Sequence, residues 1–308
     1  MPRDDRGAHG GSLPPGNERE WPVHHRTVQA GGVTVFYREA GPPDGPVLLL
    51  LHGFPSSSRM YAGLLPRVAG PWRLLAPDYP GFGHSDAPSP ETYPYTFDHL
   101  AEAMDAFTRS LGIERYAMYL QDYGGPVGMR LAVSHPERVM ALVIQNAVMH
   151  DEGLVPALWN TRRAFWENRA AHEPALRANF LSEAATRTRH VGHSPNVDRY
   201  DPDLWADELA FLSRPGQDRI QADLFYDYRT NVASYSSWQS WLRRGRPPLL
   251  VVWGKWDPSF SVDEVEALRR DHPGAETHLL EAGHFALDEA TPEIARRVRA
   301  FLDRVAPR

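Results

Sequence analysis

Three side chains that could share nucleophilic chemistry stand far apart in this sequence, each just after a stretch that reads as a strand. Asp122 follows Tyr116–Gln121 and precedes the pair Gly124-Gly125. A strand running straight into a glycine pair and a helix is the context of a nucleophile elbow, a strained turn that lifts one side chain above a sheet. Asp122 takes the place that Ser holds in G-x-S-x-G, with Leu120 two residues before it and Gly124 two after. An aspartate there would equally cap a helix beginning at Gly125. Asp257 lies in Trp253–Pro258, in the loop after a later strand, and His284 lies in Glu281–Phe285, after the last one. Strand-end loops of an open parallel sheet gather at one edge, so the three can meet there. His52-Gly53-Phe54-Pro55 follows the first buried strand. A turn there can aim the Phe54 N–H at the same spot as the Tyr123 N–H, a pair of donors for an oxyanion. Asp78–Asp86, with Gly81 and Gly83, forms a further tight loop after the next strand.

The elements that must position these groups are legible as a rhythm. Thr27–Ala40 reads as a hairpin about Gly31-Gly32. Val47–Leu51, Arg73–Pro77, Tyr116–Gln121, Val139–Gln145, Leu249–Trp253 and Glu276–Leu280 read as short buried strands. Helical segments fall between them around Tyr61–Val68, Phe97–Leu111 and Gly125–Ser134, with a capping box at Ser261–Glu264 and a last helix capped at Thr291-Pro292. The alternation predicts an α/β fold with a mostly parallel sheet flanked by helices. It breaks from 148 to 242, where helix-like spacing continues without a buried strand. The expected organisation is therefore a flexible tail over 1–20, rich in glycine, proline and charge, a core of 21–147 and 243–308, and a helical cap of 148–242 inserted after the sixth strand.

Composition sets the outer limits. The chain has 308 residues, 42% hydrophobic and 23% charged, and no cysteine, which excludes disulfides and thiol chemistry. A net charge of −6 offers no basic field for nucleic acid or an anionic membrane. Lys255 is the single lysine among 33 basic residues. No apolar run is long enough to span a bilayer, and the start of the sequence has no secretory h-region, so a cytoplasmic enzyme is expected. His190 and His193 have no cysteine or carboxylate set near them in sequence, and no metal site is read there.

With these motifs in order, the sequence resembles the α/β-hydrolase superfamily over about residues 27–306, in the nucleophile, acid, histidine order of its triads. Q-D-Y-G-G resembles the branch with an aspartate nucleophile, which holds epoxide hydrolases, haloalkane dehalogenases and fluoroacetate dehalogenases. The resemblance implies that Asp122 attacks carbon to give an ester, that His284 activates the water that cleaves it, and that Asp257 orients His284. Asp151 or Glu152 could replace Asp257, as in some dehalogenases. Haloalkane dehalogenases usually carry Trp after the nucleophile and a side-chain donor in the first loop, where this chain has Tyr123 and Phe54. Fluoroacetate dehalogenases resemble D-R-G-x-R, where it has Tyr123 and Pro126. An opening epoxide instead needs a proton for its alkoxide, and Phe225–Asn231 resembles the stretch that carries such a tyrosine, which points to Tyr228. Tyr200, Tyr235 or an indole N–H from Trp159 or Trp166 could be the second donor, with Trp159, Trp166 and Tyr235 expected to line the pocket.

The implied activity is epoxide hydrolysis to a vicinal diol, closest to epoxide hydrolases. The alternatives are a haloalkane or haloacid dehalogenase on the same Asp, or a non-catalytic binding protein of this fold. No cofactor or metal is implied. The partner expected is a small, bulky or aromatic substrate, without nucleic acid or membrane, and a homodimer is left open.

Overall fold

The computed structural model describes residues 21–306, so the tail expected over 1–20 lies outside the described residues. β1 (Val23–Ala30) and β2 (Val33–Ala40) form the hairpin about Gly31-Gly32, with β1 starting earlier than expected. Both glycines have positive φ, the left-handed backbone that a two-residue hairpin turn requires. β3 (Val47–Leu51), β4 (Arg73–Pro77), β5 (Tyr116–Gln121), β6 (Val139–Gln145), β7 (Leu249–Gly254) and β8 (Glu276–Leu280) follow. They make one eight-stranded sheet in the order β1-β2-β4-β3-β5-β6-β7-β8. β2 pairs antiparallel with β1 and β4, and every other pairing is parallel. Every residue of β3, β5 and β7 is buried, as strands covered on both faces must be.

The sheet separates two apolar layers. On one side Leu49, Leu51, Met118 and Leu120 share a cluster with Leu100, Met104 and Phe107 of α2 (Phe97–Ser110). On the other, Leu48, Leu50, Ala117 and Tyr119 pack with Ile294, Val298 and Phe301. Those three belong to the last helix, which is α10 in chain order (Leu287–Val305). α3 (Gly124–Ser134) follows β5 directly. Where a helix was expected over Tyr61–Val68 there is a 3-10 turn, Ser58–Tyr61, and a short α1 (Leu65–Val68).

Between β6 and β7 the chain leaves the sheet for α4 (Pro156–Glu167), α5 (Arg169–Phe180), α6 (Glu183–Val191), α7 (Ala206–Leu212) and α8 (Gln217–Gly245). α8 runs three residues past the boundary expected at 242. Two caps differ from expectation. α9 (Asp263–Asp271) has Val262 at its N-cap without a side-chain bond. The Glu264 carboxylate does not reach back to close a capping box; it turns inward to the Met149 N–H and to His150. α10 begins at Leu287, ahead of Thr291-Pro292, and Ala290 breaks its regular backbone just before the proline. Among the described residues no helix is long and apolar enough to cross a membrane.

Candidate active site

The loop between β5 and α3 holds Asp122 in a conformation that few residues accept. Its φ is +47°, in the left-handed region where aspartate and asparagine are over-represented among non-glycine residues. Glycine is required beside it, because a Cβ on Gly124 would collide with the Leu51 carbonyl of β3. The N-cap of α3 is Tyr123 and has no side-chain bond, so Asp122 does not cap this helix. The carboxylate is directed into the protein instead. Its Oδ1 accepts the Phe54 N–H at 2.8 Å, and the Tyr123 N–H also favours its charged form. Burial nevertheless raises the Asp122 pKa, against the pull of His284 and these two N–H groups.

His284 completes the line. Its Nε2 lies 3.6 Å from Asp122 Oδ2 and its Nδ1 lies 2.7 Å from Asp257 Oδ2. Burial by itself lowers the His284 pKa; the charge and hydrogen bond of Asp257 outweigh it, and the net shift is upward. Asp257 is itself fixed on both oxygens. Oδ1 accepts the Ser259 and Phe260 N–H groups at 2.7 and 3.1 Å, and Oδ2 accepts Asn146 Nδ2 at 2.8 Å. The two acids considered in its place are elsewhere, Asp151 paired with Arg163 and Glu152 with Arg270.

The cap closes this line from above. A void of about 30 Å³ is bordered by Asp122, His284, Tyr123, Phe54, Trp159 and Tyr228, together with Phe225, Phe260, Leu158, Ser259 and two arginines. Tyr228 is held where α8 meets the core: its neighbour Asp227 accepts the Phe97 N–H at 2.8 Å, and Arg130 of α3 donates to Thr230 and Asn231. Burial, Tyr235 and the charge of Asp122 keep the Tyr228 phenol well above its usual range, hence protonated. Tyr235, two turns along α8, is buried with its hydroxyl directed to that of Tyr228, but it does not border the void.

The indoles are not donors into the pocket. Trp159 Nε1–H goes to the Ser259 carbonyl at 3.0 Å and Trp166 Nε1–H to the Phe225 carbonyl at 2.8 Å. Trp159 gives its ring to the wall. Trp166 stands behind Tyr228, stacked on it at 8° between planes, and does not line the void. Tyr200 lies away from the site and donates to Glu289.

Residues 46–291 match the alpha/beta hydrolase fold family. The chain belongs to the α/β-hydrolase family. It is 37% identical to an uncharacterized hydrolase of Saccharomyces cerevisiae over 89% of this chain and 95% of that one. It is 30% identical to a haloalkane dehalogenase of Mycobacterium marinum over 85% and 86%. The solved structure of the epoxide hydrolase CorEH superimposes with a TM-score of 0.73 at 17% identity, covering 92% of this chain and all of that one, a likeness of fold. Within the family the chain falls in the dehalogenase-like branch.

Four residues of this α/β-hydrolase site escaped the sequence reading. Asn146, with φ +44° at the end of β6, clamps the Gly254 backbone and Asp257 with one amide. Gln121 Nε2 lies 3.1 Å from His284 Nε2. Both stand at strand ends, where a neutral amide carries no mark in the sequence that sets it apart from a structural residue. Arg162 and Arg189 had no local signal among so many arginines. His190 does have carboxylate company, Glu208 and Asp288 at 2.9 and 2.8 Å, brought from distant segments. Among the described residues no group of three or more His, Asp or Glu is arranged to hold a metal.

Proposed function

We propose that this chain opens epoxides to vicinal diols through an ester on Asp122. The observation that carries the reading is Tyr228, a phenol kept protonated and bordering the void that Asp122 borders, while both cap indoles spend their N–H groups on carbonyls. A departing halide needs N–H donors and no proton. A departing alkoxide is a strong base and needs an acid.

Asp122 Oδ2 attacks an epoxide carbon, the C–O bond of the ring breaks, and Tyr228 gives its proton to the oxygen released. His284, its Nδ1–H held by Asp257, then takes a proton from water, and the hydroxide adds to the Asp122 carbonyl carbon. The charge that develops on Oδ1 meets the Phe54 and Tyr123 N–H groups. Collapse releases the diol with the proton from His284, leaves Asp122 as carboxylate, and returns the remaining proton to Tyr228. The route asks for no cofactor, and its partner is a small molecule.

Dehalogenation through the same ester is the second reading, favoured by the likeness to the haloalkane dehalogenase of M. marinum. Turnover of an epoxide panel beside haloalkanes and fluoroacetate separates them. Diol formation with Asp122-dependent kinetics is expected; halide release faster than the opening of any epoxide would overturn the epoxide reading.

A further inference from the structure

Two guanidinium groups border the void that holds Asp122. Arg162 comes from α4 and Arg189 from α6, so the cap supplies both. Arg162 is 8% exposed, and its Nε and Nη1 are buried without a hydrogen-bond partner. Arg189 is more exposed along its length, yet its Nη1 is also buried and unpartnered. What they touch is aromatic. Arg162 lies 4.0 Å from the centre of the Phe225 ring and 5.5 Å from that of Trp159, and Arg189 lies 4.7 Å from that of Phe54.

Ring faces compensate a cation only in part, and N–H donors enclosed without acceptors are costly. Burial pushes Arg189 down to about 10, and the like charge of Arg162 adds to the fall. Arg162 is lowered too, by burial, with Tyr123, Asp122 and Tyr228 opposing. A pair of cations that weaken one another in a dry pocket is completed by an anion between them.

Their place along the route inward is equally specific. A second cavity of about 340 Å³ lies on the outer side, bordered by Leu158, Arg162, Arg189 and Ser259 as the inner void is, and further by Asn179 and Thr188. The two guanidiniums therefore stand at the junction of a roomy outer cavity and a small reacting one. A planar fork of donors suits a carboxylate, because two parallel N–H bonds match its two oxygens.

We propose that Arg162 and Arg189 form a carboxylate-binding subsite, and that the substrate carries a carboxylate close to its reacting carbon. The inference rests on the proposed ester route only for the identity of the reacting group. The anion is held at the junction while the epoxide enters the void beside Asp122, which orients the ring carbon toward Oδ2.

The test has a binding arm and a turnover arm. Acetate, butyrate and phenylacetate, each with its primary amide, are titrated calorimetrically into the full chain, into Arg162→Gln and into Arg189→Gln. At least tenfold tighter binding of the carboxylates is expected, with the preference reduced at least tenfold in each variant. Arg162→Lys, which keeps the charge and loses the fork, guards against a folding defect in Arg162→Gln and should restore part of the preference. Equal binding of acids and amides by the wild type, or a preference unchanged in Arg189→Gln, would overturn the subsite. In the turnover arm, glycidate and alkyl-substituted glycidates compete with the matching glycidamides, and a kcat/KM ratio of tenfold or more for the acids is expected. If carboxylates bind through the arginines and no epoxide is opened, the subsite stands and the epoxide reading falls. If epoxides are opened without regard to the carboxylate, the reverse holds, and the arginines act only to keep Asp122 ionised.

Discussion

His284 and Asp122 both titrate higher than they would in water, for different reasons, and under the proposed ester route this sets the acid limb. Burial raises Asp122 directly, whereas Asp257 overcomes the opposite effect of burial on His284. Ester hydrolysis needs neutral His284, so its acid limb should lie above the ordinary histidine value of about 6.5. Alkylation needs only ionised Asp122 and should persist to lower pH. Rapid-quench separation of the two steps between pH 5 and 8 would show ester accumulating as pH falls; parallel loss of both steps would refute the assignment. His284→Gln should freeze the same intermediate at all pH values, visible as an adduct on Asp122 by intact mass. Tyr228→Phe keeps the ring and removes the acid, so alkylation by an epoxide should slow by about 10²–10⁴-fold while ester hydrolysis changes far less. Single-turnover kinetics reads both steps, and an unchanged alkylation rate would remove Tyr228 from the mechanism. That Asp122, Asp257 and His284 come together was legible in the sequence because each follows a recognisable strand. The arginines were not, because a guanidinium without a partner becomes visible only when everything around it is in place.

At the scale of elements, α8 is the part that carries the proposed acid Tyr228, and its position depends on side chains of the core. Arg130 donates to Asn231 at 2.6 Å and Thr230 at 3.0 Å, and its guanidinium lies over Phe97 and Trp238. Asp227 satisfies the Phe97 N–H at the start of α2. Arg130→Ala removes both bonds and leaves Asn231, which is fully buried, short of a donor. A loss of about 1.5–3 kcal/mol is expected from charged hydrogen bonds of this kind. Urea unfolding measures it, and kcat for epoxide opening should fall with it as Tyr228 loosens. A stable variant with full activity would show that α8 is held by its apolar face and the Asp227–Phe97 bond without help from Arg130. The strands of the core were readable nearly to the residue, since a strand buried on both faces is a short, bounded apolar run. The cap was readable only as a helical interval. Its helices are fixed by contacts such as Arg130–Asn231, which join residues about a hundred positions apart. Ser261–Glu264 shows the same limit: its spacing fits a capping box, but Glu264 finds better partners in Met149 and His150.

At the scale of the whole molecule, the inserted helices are fastened to the core at His190 as well. This side chain comes from α6, is 3% exposed, and meets Glu208 of α7 at one nitrogen and Asp288 of α10 at the other. Its ring stacks on Phe285, the residue after His284. Burial opposes the charge, but the two carboxylates prevail and raise the imidazole from 6.5 to about 10, so it is a cation at neutral pH. Asp288 is raised by burial against the pull of the same imidazolium, so each partner is kept charged by the other. A basic group raised on folding contributes its full stabilisation below its unfolded pKa and loses it as pH climbs through the folded one. For His190 that window runs from about 6.5 to about 10. His190→Gln leaves two buried carboxylates without their cation, and breaking a buried pair in this way costs about 3–5 kcal/mol. Chemical denaturation at pH 7 should show a deficit of that size, shrinking steadily toward pH 10 as the wild type loses its own proton. A deficit independent of pH would mean that the contact is one of packing and not of charge. The same substitution removes a positive charge that lowers the His284 pKa. The acid limb of ester hydrolysis should then move to higher pH in the variant, tying the fastening of the cap to the chemistry beneath it.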